Sequence, residues 1–242
     1  MRKPIKMREP TFKYNIKITW GMRRALNRAV ARKTLALNST GVLLLTLPSM
    51  NHVMCEVIAS RLNLEMPRLE IDAQPADKVN LMFESPWRVK KAFVEHCNSR
   101  NLSQNNVINE LLKEPLEDIE ERVKIDSSLG WEPGQGFTCS IDSSSKRKLF
   151  QRCAVKMLDC DGRRQWGIGD MLIMTMAAAT GEPLPEHFFA IPDANDDDVF
   201  SMIITMPLTM HKTLQDLSDD EGKTMSKFIR KWLVEYVDQY KV

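Results

Sequence analysis

The alternation Ser201-Met202-Ile203-Ile204-Thr205-Met206 constrains this chain more than any other feature. Successive strand side chains point to opposite faces, so Met202, Ile204 and Met206 share one face and Ser201, Ile203 and Thr205 the other. Pro207 suits the opening of a helix, where its missing N–H costs little. The spacing of Met210, Leu214 and Leu217 predicts an amphipathic helix ended by Gly222. Phe228, Ile229, Trp232, Leu233, Tyr236 and Val237 predict a second one. A unit of this size is too small to bury a core alone, so it requires a partner.

This strand, helix, turn and helix order over residues 199–242 resembles the ribbon-helix-helix (Arc/MetJ/CopG-like) DNA-binding superfamily. The resemblance implies that two copies pair their strands antiparallel over four helices, and that the outer face of the ribbon enters the major groove of DNA. Three earlier windows show the same order, roughly sixty residues apart. The first follows the alternating strand Asn15-Ile16-Lys17-Ile18-Thr19-Trp20, with helices over Met22 to Lys33 and from Asn38-Ser39-Thr40 through Val42 to Leu45; Pro48 interrupts the second, and the chain is expected to continue as a separate helix through His52, Val53, Cys55, Val57, Ile58 and Leu62. The second follows Asn80-Leu81-Met82-Phe83-Glu84-Ser85 and Pro86, and Ser103 precedes its second helix. The third follows Phe137, Cys139 and Ile141, with helices over Ser143 to Met157 and Gly167 to Ala179.

The expected fold is therefore mainly α with short β ribbons: four tandem ribbon-helix-helix units forming two intramolecular pseudo-dimers. A basic arm covers residues 1–12, and the units cover 13–64, 78–116, 136–181 and 199–242. Loop-closure cost favours pairing of neighbours, the first unit with the second and the third with the fourth. Tandem fusion of this kind resembles, in layout only, the TraY-like relaxosome proteins. The proline- and acid-rich stretches 65–77, 114–135 and 181–198 read as linkers.

Charge is unevenly placed. Residues 1–33 hold eleven Lys and Arg against the single acid Glu9, a net of +10, and the remainder sums to −8. An acidic remainder repels a polyanion, so contact with DNA must be local and anchored near the N-terminus. On the outward strand faces, Asn15, Lys17 and Thr19 offer an amide, a cation and a hydroxyl suited to base edges. Asn80, Thr138, Ser140, Ser201 and Thr205 complete the expected base-contacting set, with Ile203 suited to a thymine methyl. Met82 and Glu84 are poor groove residues. Phosphate contacts are expected from Lys13 and Arg23 and from the second-helix starts at Ser39, Ser103, Lys223, Thr224 and Ser226, where free N–H groups attract anions.

Other classes of function find little support. His52, His96, His187 and His211 fall in different units, and the chain has no Gly-rich phosphate loop and no zinc-ligand spacing. No catalytic residue, metal or cofactor is expected. The five cysteines, with no C-x-x-C pair, read as packed thiols. The methionine-rich run Met171 to Met176 reads as core filling. No apolar run approaches a membrane span, and no secretory signal follows the basic N-terminus. Together with the ribbon-helix-helix resemblance, these features lead to the expectation of a cytoplasmic, nucleoid-associated transcriptional regulator that binds double-stranded DNA sequence-specifically. Further partners would be a second copy of the chain, a relaxase or the transcription machinery. The alternatives are an accessory factor for relaxosome, replication or partition machinery, and a protein-interaction scaffold with degenerate ribbons.

Overall fold

The computed structural model describes residues 10–40, 47–65, 78–130 and 132–239 of the 242-residue chain. The chain divides into two compact units: one gathers the described parts of 1–30, 48–69 and 193–242, the other those of 31–47 and 70–192.

The first unit is built on an antiparallel ribbon of β1 (Thr11–Thr19) and β6 (Val199–Pro207), in register through Ile16 opposite Met202 and Lys17 opposite Ser201. Alternation puts Ile16, Ile18, Ile204 and Met206 on the buried face. Beneath them lie α2 (Met50–Leu62), α8 (Leu208–Glu221) and α9 (Met225–Gln239), which pack on the strands and on one another. Met54, Ile58, Leu214, Ile229 and Leu233 fill the space between them and are fully buried. Helix α1 (Trp20–Ser39) follows β1 directly, and it belongs to this unit through Val30 and to the second from Ala31. Gly222 ends α8 at φ 60°, a left-handed conformation that a side chain would strain.

The second unit repeats the ribbon with β2 (Lys78–Pro86) and β4 (Gly134–Asp142), Leu81 lying opposite Cys139 and Phe83 opposite Phe137. Its helices are α3 (Trp87–Ser99), α4 (Gln104–Leu111), α5 (Leu116–Arg122), α6 (Ser143–Asp159) and α7 (Ile168–Thr180). Every residue of α7 from Met171 to Ala178 is buried, so its methionines are core. A short parallel bridge joins β3 (Ile125–Asp126) to β5 (Leu184–Pro185). None of the helices among the described residues is long and apolar enough to cross a membrane.

This architecture corrects the expectation of four tandem units folded as two neighbour pairs. The first strand pairs with the last and the two middle strands with each other. Nine α-helices among the described residues, with only short strand pairs, do not divide into four equivalent modules. Choosing β6 over β2 as the partner of β1 costs only about 1 kcal/mol of extra loop entropy, at about 0.6 kcal/mol per doubling of loop length. Burial of a single aliphatic side chain exceeds that.

Two local readings are corrected as well. α1 continues to Ser39, through the turn expected after Lys33, so Ser39 closes a helix and opens none; its Oγ donates to the Ala36 carbonyl. The helix expected through Val42 to Leu45 falls outside the described residues. The next helix described begins after Pro48, with Ser49 as its cap, accepting from His52 N at 3.1 Å. The stretch 114–135 is no mere linker: Ile119 of α5 is fully buried against Leu111 and Ala178, and Glu120 pairs with Lys156 at 2.6 Å.

Each ribbon leaves strand edges with unpaired backbone groups. Asparagine side chains, which carry a donor and an acceptor as a peptide does, close part of them. In the first unit Asn51 of α2 accepts from Thr205 N at 2.7 Å and donates to Thr205 O at 2.8 Å. In the second, Asn105 accepts from Ser140 N, while Asn109 donates to Ser140 O and accepts from Asp142 N. Asn51→Ala should lower the unfolding free energy by about 1–3 kcal/mol, because it strands a half-buried donor and acceptor. Urea denaturation checks this; an unchanged midpoint would show that the clamp contributes nothing.

Candidate nucleic-acid interface

The outer face of the β1–β6 ribbon gathers residues from both ends of the sequence. Lys13 lies opposite Thr205, Asn15 opposite Ile203, and Lys17 opposite Ser201. Lys13, Asn15, Lys17, Ser201 and Ile203 are exposed, and Thr205 is half-buried. Neither lysine has an ion-pair partner among the described residues, and the face carries no carboxylate. An antiparallel ribbon of this kind fits a major groove, which is about 12 Å wide. Thr19 stands apart, since its Oγ1 accepts from Met22 N at 3.3 Å and serves as a cap of α1.

Two helix starts flank the ribbon. α9 begins beside β1, where the Tyr14 hydroxyl and Ser226 Oγ are hydrogen-bonded at 2.8 Å, and α2 begins beside β6 through the Asn51 clamp. Thr224 is exposed just before α9, and its carbonyl accepts from Lys227 N. Lys223 is tied to Glu221 at 2.6 Å and lies over the Phe228 ring. α2 is the separate helix expected after Pro48, and its start at Ser49 stands in the place that Ser39 was expected to hold. The pair Pro48-Ser49 ahead of Met50 was its signal.

At the end of the ribbon Arg23 rests on aromatic rings, with its guanidinium carbon 4.5 Å from the Trp20 ring centre and 5.1 Å from that of Phe200. Burial lowers its pKa, yet a guanidinium remains charged at neutral pH. Unlike Arg24, which binds Asp196 at 2.6 Å, Arg23 has no carboxylate partner among the described residues. The acidic run 196–198 docks on α1, whose first N–H groups donate to the carbonyls of Asp198 and Asp196. Gly21 permits this approach, because a Cβ there would lie 3.2 Å from Asp196 Cβ.

The remaining expected base contacts lie on the β2–β4 ribbon of the second unit. Asn80 is opposite Ser140, Met82 opposite Thr138, and Glu84 opposite Gly136. Met82 is 83% exposed, the most exposed large apolar side chain described, and Glu84 adds negative charge. Asn105 and Asn109 hold the Ser140 backbone. Ser103 sits at the N-cap of α4 without a side-chain cap bond. Arg164, ahead of α7, is stacked at 3.9 Å on Trp166 and paired with Asp170. Among the described residues no His, Cys, Asp and Glu cluster forms a metal site. Burial pushes the thiols of Cys55 and Cys139 up to about 11, so neither supplies a thiolate near neutrality.

Removing the shelved guanidinium tests this geometry directly. Arg23→Ala should cost about 0.5–2 kcal/mol of stability, the range for a partly desolvated cation on aromatic faces. Chemical denaturation of the full chain measures it, and no loss would show that the stacking is not held in solution.

Compared with known proteins, the chain matches no protein-family model, no curated protein and no solved structure.

Proposed function

We propose that this protein binds double-stranded DNA sequence-specifically and acts as a transcriptional regulator, with the β1–β6 ribbon reading the major groove and no reaction of its own. The observation that carries this reading is the pairing of β1 with β6. It sets Asn15, Lys17 and Ser201 side by side on one exposed face, backed by a buried apolar face. Asn15 offers the bidentate amide that suits adenine, Lys17 donates to guanine, and Ile203 meets a thymine methyl. Lys13, Arg23, Thr224 and the start of α9 surround that face with groups for phosphate, which position the ribbon without specifying sequence. Kinship with ribbon-helix-helix regulators and a place at the nucleoid belong to the same proposal.

The β2–β4 ribbon favours a different use. Its outer face presents Met82 opposite Thr138 and Glu84 opposite Gly136, a surface better suited to protein than to phosphate.

Selection of duplexes from a random pool, followed by footprinting and binding at graded salt, tests the reading. A common sequence should emerge, and log affinity should fall steeply with log salt. Lys13→Ala should reduce the magnitude of that slope by about one, and Asn15→Ala should cost about 1–3 kcal/mol on the selected site alone. No enriched sequence, or affinity indifferent to both substitutions, would overturn it.

A further inference from the structure

A cavity of about 310 Å³ opens in the second unit where the β2–β4 ribbon meets α3 and α7. Its volume is at the low end for ligand pockets, enough for one small molecule and too little for a dinucleotide or a peptide. Val89, Ile173, Pro183 and Phe188 provide an apolar wall.

The charges around it are mostly settled among themselves. Arg164 is stacked on Trp166, donates to the Phe188 carbonyl and pairs with Asp170, whose other oxygen accepts from Gly167 N. Glu132 accepts from Arg88 N at 3.2 Å and meets Arg88 Nε at 2.5 Å. Two groups are left over. Arg88, in the lining, pairs through Nε with Glu132 and, at 3.8 Å, with Glu182, and its terminal nitrogens make no hydrogen bond to the described residues. The Glu84 carboxylate, also in the lining, has no partner among the described residues. It lies across Gly134, where a Cβ would come within 2.9 Å of Glu84 Cβ and 3.0 Å of Oε2. A side chain at position 134 would force Glu84 to shift.

Unused guanidinium N–H groups on Arg88 and an unpaired carboxylate on Glu84, beside an apolar wall, suit a ligand with both charges and an apolar body. The geometry points to a binding site for a free α-amino acid with an apolar side chain. Its carboxylate is received by Arg88, its ammonium by Glu84, and its side chain by Ile173, Pro183 and Phe188. A planar guanidinium holds a carboxylate through two parallel hydrogen bonds. This inference stands independently of DNA binding.

Calorimetric titration of the full chain with L-phenylalanine and L-leucine tests it, alongside phenethylamine, which lacks the carboxylate, and 3-phenylpropionate, which lacks the ammonium. The amino acids should bind, and each single-charge analogue should bind at least about tenfold more weakly, the equivalent of one charge-assisted hydrogen bond. Glu84→Gln should weaken phenylalanine to a similar degree and leave 3-phenylpropionate unchanged; Arg88→Gln should weaken phenylalanine and leave phenethylamine unchanged. Binding of neither amino acid at millimolar concentration, analogues as tight as phenylalanine, or a Glu84→Gln protein that binds like the parent would each overturn the proposal. Glu84 is exposed, so its variant and the analogue series decide the matter even if Arg88→Gln fails to fold.

Discussion

The backbone ladder between β1 and β6 is the constraint on which the first unit depends. It joins Thr11–Thr19 to Val199–Pro207, and each strand alone would present one apolar face with nothing beside it. Paired, they put Ile16, Ile18, Ile204 and Met206 on one continuous surface, which α2, α8 and α9 cover. A two-stranded ribbon is marginal without such cover. The helices use the ribbon equally, because α2 packs on β6, α9 on β1 and α8 on both strands. The outward face is a consequence of the same register. Once Ile16 points inward, Asn15 and Lys17 must point out.

In sequence order, β2 and β4 both fall between β1 and β6, so the second pairing is nested within the first. Such nesting is cheap in entropy because the cost of closing a loop rises with the logarithm of its length. Where ladder bonds are lacking, asparagines of α2 and α4 act as substitute peptides at the edges of β6 and β4. In both units the second strand is thus tied to the start of a helix as well as to its partner strand. Those asparagines limit the backbone groups left free to recruit a foreign strand.

The two ribbons have the same geometry and different chemistry. Lysine, amide and hydroxyl groups cover the outside of β1–β6, whereas β2–β4 shows Met82 and Glu84. Backbone hydrogen bonds set the shape, and outward side chains are free to vary because they carry none of the packing. At the end of the second ribbon, Glu84 and Gly134 belong to a cavity wall, so this end of the ladder shapes a pocket.

Strand and helix positions were legible in the sequence because period is a local property. The alternation over Ser201–Met206 lies within β6, and the apolar spacing from Phe228 to Leu233 lies within α9. Alternation also told which face of each strand turns outward, and so which side chains a ligand can meet. It held nothing on partner choice, since an apolar face on β1 is satisfied by any strand with a matching one, and β6 prevailed through packing across most of the chain. Ser39 was misplaced because α1 runs past the turn signal, and α5 was hidden because one buried residue, Ile119, among acids has no period. By itself the sequence determined element type, face polarity and the local charge of the first 33 residues. Only tertiary structure decided that Asn15 and Ser201 share a surface, that Asn51 completes an edge, and that Arg88 and Glu84 border one cavity, because each needs contacts between segments that no local pattern links.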